Sequence, residues 1–249
     1  EKCPPDSEVE IIPDSSWSCA HGVERWRNGC GCATGGHPSW TQQWRAPLRQ
    51  AMDWLNGRLS EFFAERISAL KTDPWKLRED FIDVILDRSM SSVEDFFQKH
   101  NLGSLSKAQK SSVLQLLEMQ RACQLMFTSC GWFFDEISGL ETVQILKYAA
   151  RAMELSARLG ATALETEFLR FLDHAPSNEK TYGTGAEVYR RLVKPSVISL
   201  KQAGIHFAVS TAFDEFSGQA KVGIFDTIDN KSLFMKDGDR ILSSGTLNI

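Results

Sequence analysis

The sequence predicts an α+β chain, a mainly helical bundle followed by a small C-terminal antiparallel β-sheet. Three observations carry this. From Thr41 to about Ala203, apolar residues recur at steps of three and four, the stripe of amphipathic helices. After Gly204 the period drops to two, as in half-buried strands. Residues 1–40 follow neither period and concentrate Pro, Gly, Trp and Cys. The expected organisation is an irregular Trp/Cys-rich segment at 1–40 packed on the bundle, a helical domain at 41–204, and a truncated antiparallel β subdomain at 205–249. Helices and strands segregated along the chain suit an α+β fold or two subdomains.

The elements follow in order. Residues 1–40 hold Pro4, Pro5, Pro13 and Pro38 with five glycines, too much turn chemistry for a helix. Trp44, Leu48, Met52, Leu55, Leu59, Phe62 and Leu70 mark a first long helix. Asp73-Pro74 is an N-cap followed by Pro at the first helical position, and starts a second. Ser91 with Glu94 suits a capping box for a short third helix. Ser106 caps a fourth, through Val113, Leu117, Gln120 and Gln124 to about Cys130. Gly131 and Gly139 bracket a break. A fifth helix runs from Leu140 to Leu159, with Gly160 at its C′ position. Thr162 and Glu165 form another capping box, and a last helix covers about 185–203, kinked at Pro195. Strands are expected at His206–Ser210, Lys221–Ile228, Ser232–Met235 and Arg240–Leu247, joined by Gly- and Asp-rich turns.

Composition narrows the function. Hydrophobic residues at 42% exclude disorder as the main state. A net charge of −4 removes the basic face a duplex binder needs, and no apolar run reaches the length of a bilayer span. Neither nucleic acid nor membrane is an expected partner. The start, Glu-Lys-Cys-Pro-Pro, carries no signal-peptide pattern and no Met. It reads as a processed or excised piece from a cytoplasmic protein with reduced thiols.

Four stretches could carry chemistry. Trp17, Trp26 and Trp40 lie in the irregular segment, where a helix core does not explain them. Indoles either glue such a segment down or stack on a sugar. Around them, Ser16-Trp17-Ser18-Cys19-Ala20-His21-Gly22-Val23-Glu24-Arg25-Trp26 mixes His, Arg, Ser and Trp as pocket linings do. His21 and Arg25 are therefore candidate pocket residues, His21 as a hydrogen-bond donor or a general acid–base group, while a structural His bonded to backbone is the commoner fate of one His. Cys19-x-His21 and Cys30-x-Cys32 offer three thiols and an imidazole, with Cys130 as a further thiol. Such soft ligands suit zinc or an iron–sulfur cluster, although the spacing is not that of a standard finger, and buried free thiols are the alternative. The break Trp132-Phe133-Phe134-Asp135-Glu136 ends in two acids. Adjacent carboxylates do not face each other, so they are not an acid/nucleophile pair. They can bind a sugar hydroxyl, or cap and charge the next helix.

These motifs together, with Cys-Gly-Cys at 30–32, Trp40 through Trp44-Arg45-Ala46-Pro47-Leu48, and the second motif at Phe127 to Gly139, resemble one subgroup of glycoside hydrolase family 57. The likeness spans nearly the whole chain and falls in the region that follows the catalytic barrel there. It implies retaining chemistry on α-glucans with a barrel Glu nucleophile and Asp acid/base, neither of which this chain contains. The expected role is a C-terminal accessory domain of an amylase- or branching-enzyme-like hydrolase or transferase. It would complete the sugar cleft of an N-terminal barrel in the same polypeptide and be inactive alone. Substrate contacts would come from Trp17, His21, Arg25, Trp26, Trp40, Trp132, Asp135 and Glu136. No cofactor is required for this, while Cys19, His21, Cys30 and Cys32 keep a metal centre open. A metal-binding module and a purely structural docking domain are the alternatives.

Overall fold

The computed structural model describes residues 8–197, 200–210, 221–222, 225–226, 228–237 and 240–248. The chain divides into two compact units between Lys194 and Pro195.

The first unit is helical. Helix α1 (Arg45–Ser68) runs through its middle and packs against α5 (Lys107–Leu125), α7 (Leu140–Arg158) and α8 (Glu165–Asp173). Its stripe of Trp44, Leu48, Met52, Leu55, Leu59, Phe63 and Ile67 is wholly removed from water, so the inward face ends on Phe63 and Ile67 rather than Phe62 and Leu70. Full burial of such side chains contributes about 1.5–3 kcal/mol each. Helix α2 (Pro74–Asp80) starts where Asp73 accepts from the N–H groups of Trp75 and Lys76, and α3 (Ile82–Leu86) follows at once. The cap of α4 (Met90–Lys99) is Ser89, which accepts from the Ser92 N–H, not Ser91. Ser106 and Gln109 close a reciprocal capping box on α5. That helix ends at Leu125, five residues before Cys130, and the short α6 (Cys130–Phe133) stands inside the expected break. Gly160, at φ +87, closes α7 while the Ala161 N–H reaches back to the Ser156 carbonyl, a left-handed cap that favours glycine.

Near the end of the unit the sequence signals are overruled by packing. Leu164, with no side-chain bond, stands at the N-cap of α8. The Thr162–Glu165 box does not form, because the Glu165 carboxylate is occupied by the Tyr189 hydroxyl at 3.0 Å and Lys194 Nζ at 2.6 Å. Thr184 caps α9 (Gly185–Val188), which continues as a π turn over Tyr189–Val193 and a 3-10 turn over Lys194–Ser196. Pro195 therefore sits in a closing turn, and α10 (Leu200–Ser210) is a separate helix.

The α+β expectation is corrected to a helical fold. Across the described residues from 8 to 210, helix accounts for 61% and strand for none. The strand expected at His206–Ser210 is the second half of α10. Five alternating residues are too few to overcome a helical run that starts with Leu, Lys, Gln and Ala, and Gly204 costs the helix only about 1 kcal/mol. Past residue 220 the chain is extended in two separate antiparallel ribbons. One joins β1 (Lys221–Val222) to β2 (Phe225–Asp226), and the other joins β3 (Ile228–Asp237) to β4 (Arg240–Asn248). Among the described residues they do not merge into one small sheet. Residues 211–220 lie outside the described residues. Among the described residues, no helix is long and apolar enough to cross a membrane.

Candidate functional site

Between residues 8 and 40 only Cys19 and Arg25 are buried, and the sole regular element is one 3-10 turn, Glu24–Trp26. Two tight bends fold this segment on itself. Gly22 sits at φ +73, where a Cβ would collide with the Asp14 carbonyl oxygen, and Gly31 sits at φ +84. Only glycine takes both positions without strain. The first bend presents Cys19 and His21, the second Cys30 and Cys32. Their four ligand atoms all lie within 4.8 Å of one another. Cys19 Sγ is 3.8 Å from Cys30 Sγ, and Cys32 Sγ is 3.5 Å from His21 Nδ1. Cys130 is exposed at the start of α6, outside this group.

The segment is fastened to the break between α5 and α7. Trp26 Nε1 donates to the Ser129 carbonyl at 2.8 Å, and Arg49 Nη1 of α1 donates to the Trp26 carbonyl at 3.2 Å. The Arg25 guanidinium lies 4.8 Å from the centre of the Phe133 ring. Arg45, fully buried in α1, donates to the carbonyls of Cys32 at 2.7 Å and Phe134 at 3.1 Å, and lies 3.9 Å from Asp135. Asp135 in turn accepts from the Thr34 N–H at 2.9 Å and from its hydroxyl. Glu136 accepts from the N–H groups of Ser138 and Asn178 and from Ser177 Oγ. The Asn178 amide closes the collar, bridging the carbonyls of Asp135 and Thr41.

Two thiol environments contrast. Burial pushes the Cys123 thiol, deep in α5, up to about 12. Burial would raise Cys19 too, but the backbone N–H groups of His21 and Arg25 and the thiols of Cys32 and Cys30 bring it to about 7. Burial raises Cys30, beside its thiol neighbours Cys32 and Cys19. Burial, with Arg25 close by, lowers Arg45 to about 10, so it stays cationic near neutrality.

The residues proposed from sequence thus part into two sets. Trp17 is 92% exposed, with its ring 5.9 Å from Phe133. His21 is exposed, Trp26 is half-buried, and Trp40 is half-buried with His37 stacked on it at 3.8 Å. Arg25, Trp132, Asp135 and Glu136 are buried. Asp135 and Glu136 neither cap nor charge α7, whose N-cap is Gly139. Sequence reasoning missed Thr34, Ser177 and Asn178, which carry no local signal. It also passed over the chemistry of Arg45, whose signal was a charge set inside the apolar stripe of α1. Beside the collar, Arg27, Asn28, Ala46, Arg49, Gln50 and Asp53 line an open groove of about 350 Å³.

No curated protein matches this chain, and no solved structure does. One family model matches residues 40–249, a span that takes in Arg45, Asp135, Glu136 and Asn178 of the collar and leaves Trp26, Thr34 and the thiol cluster outside. That match covers well over half of the sequence, and the chain belongs to the family described as domain of unknown function DUF3536.

Proposed function

We propose that this chain is the C-terminal accessory domain of a retaining, α-glucan-active glycoside hydrolase or transferase related to family 57. It completes the sugar cleft of a catalytic barrel that lies N-terminal in the same polypeptide. The observation that carries the reading is Trp17. Its indole is almost wholly in water, yet it stands two residues from a folded cluster and beside Phe133. A large aromatic held in that way does nothing for a core, and its face suits the C–H face of a glucose ring. A separate groove is lined by Arg27, Asn28 and Gln50 together with the Arg49–Asp53 pair, joined at 2.9 Å, and carries polar groups suited to hydroxyls. Arg25, Trp132, Asp135 and Glu136 are buried and are not themselves sugar contacts in this reading.

Catalysis belongs to the barrel. Glu136 already accepts three donors, and Asp135 already holds Thr34 and Arg45. Neither carboxylate is free to act as acid or nucleophile. The isolated chain should leave soluble starch and maltooligosaccharides intact. In the polypeptide that also carries the barrel, Trp17→Ala should raise KM for long maltooligosaccharides and leave the shortest ones unaffected. Turnover by the isolated chain that Asp135→Asn or Glu136→Gln abolishes would overturn the accessory reading.

A further inference from the structure

We infer that Cys19, His21, Cys30 and Cys32 bind one zinc ion in a closed, tetrahedral Cys3His site that locks the two bends of residues 8–40 together. This goes beyond the sugar reading and does not depend on it.

The donor geometry comes first. Around zinc, sulfur at about 2.3 Å and nitrogen at about 2.0–2.1 Å give tetrahedral edges of roughly 3.8 Å for S···S and 3.5 Å for S···N. The observed edges are 3.8 Å between Cys19 and Cys30, and 3.5 Å between Cys32 and His21 Nδ1. No pair of donors exceeds 4.8 Å. An iron–sulfur cluster puts ligands on different irons, separated by the iron–iron distance plus two Fe–S bonds, which a single 4.8 Å shell does not accommodate. The Cys19–Cys30 separation is also far beyond the S–S bond length of about 2.05 Å.

The charges beneath the cluster give a second, independent argument. Arg25 and Arg45 are buried side by side, and Asp135 is the one carboxylate paired with either among the described residues. The Nε of Arg25 has no hydrogen-bond partner. With four neutral donors above them, one buried positive charge remains unanswered, a costly arrangement. Zinc with three thiolates and a neutral imidazole carries a net charge of −1, which answers it.

The third argument is the fold of the segment. Residues 8–40 bury only Cys19 and Arg25, so hydrophobic burial does not hold them. Short stretches without a core are fixed by a disulfide or a metal, and the binding free energy of a structural zinc is folding free energy. Four protein donors leave no open position, which marks a structural rather than a catalytic ion.

The test uses the whole chain, expressed with zinc and purified under reductant, with no glucan present. Elemental analysis should find one zinc per chain, lost in Cys30→Ser and kept in Cys123→Ser. A second measurement needs no variant. Cobalt(II) added to metal-free protein should give thiolate-to-cobalt charge transfer and tetrahedral d–d bands that zinc bleaches. Chelation should open 8–40 to protease while the helices from Arg45 onward stay protected. A reduced wild type without metal, a cobalt spectrum without thiolate bands, iron with inorganic sulfide, or a Cys19–Cys30 disulfide in protein kept reduced would each overturn the inference.

Discussion

Asp135 shows how one side chain can hold three parts of a chain. It faces Arg45 of α1, receives Thr34 of the irregular segment, and belongs itself to the break before α7. Asp135→Asn keeps the shape but leaves a buried guanidinium without its counter-charge, so unfolding should become easier by about 3–5 kcal/mol. A urea midpoint unchanged from wild type would refute that role. The sequence marks Asp135 and Glu136 as unusual but not as bonded to residues 34, 177 and 178. Those partners are remote in the chain, and no local period or spacing encodes them. The Cys and His quartet was legible for the opposite reason. Its four members lie within fourteen positions, and two glycine bends are enough to bring them together.

At the scale of elements, legibility follows whether a cap competes with tertiary contacts. Ser106 and Gln109 serve only each other, and the box forms as read. Glu165 is claimed by Tyr189 and Lys194, and the box with Thr162 is lost. Ser106→Ala should therefore cost about 1 kcal/mol, and Thr162→Ala less than about 0.5 kcal/mol, both from chemical unfolding. Equal losses would contradict the assignment. The contact between α2 and α4 carries a pH dependence. His100 is buried, 3.1 Å from Asp80. Burial holds its imidazole below the usual 6.5, with Lys99 and Lys76 pushing the same way and Asp80 opposing. The unfolded chain binds the proton first, so this contribution is complete above pH 6.5 and is lost as pH falls through the folded value. Below pH 6.5 the unfolding midpoint of His100→Gln should fall less than that of wild type.

For the molecule as a whole, the helical unit closes on itself before Pro195. Tyr189 and Val193, in its last turns, are buried, and the Glu165 carboxylate ties Tyr189 and Lys194 to α8. Residues 8–194 expressed alone should unfold in one cooperative transition with the helical circular dichroism of the intact unit. A non-cooperative melt would mean that Pro195 onward is needed for folding. The long helices were legible because their stripes repeat over many turns, whereas α10 was misread from only five residues.

Trp17 also gives the protein an optical handle. Trp44 and Trp132 are sealed in the core, whereas Trp17 is open to water. Its emission should lie at the red end of the spectrum and yield first to acrylamide. Standing two positions from Cys19, it should report by colour whether the bends beneath it are closed, and the difference spectrum against Trp17→Phe would isolate that signal from the other six indoles.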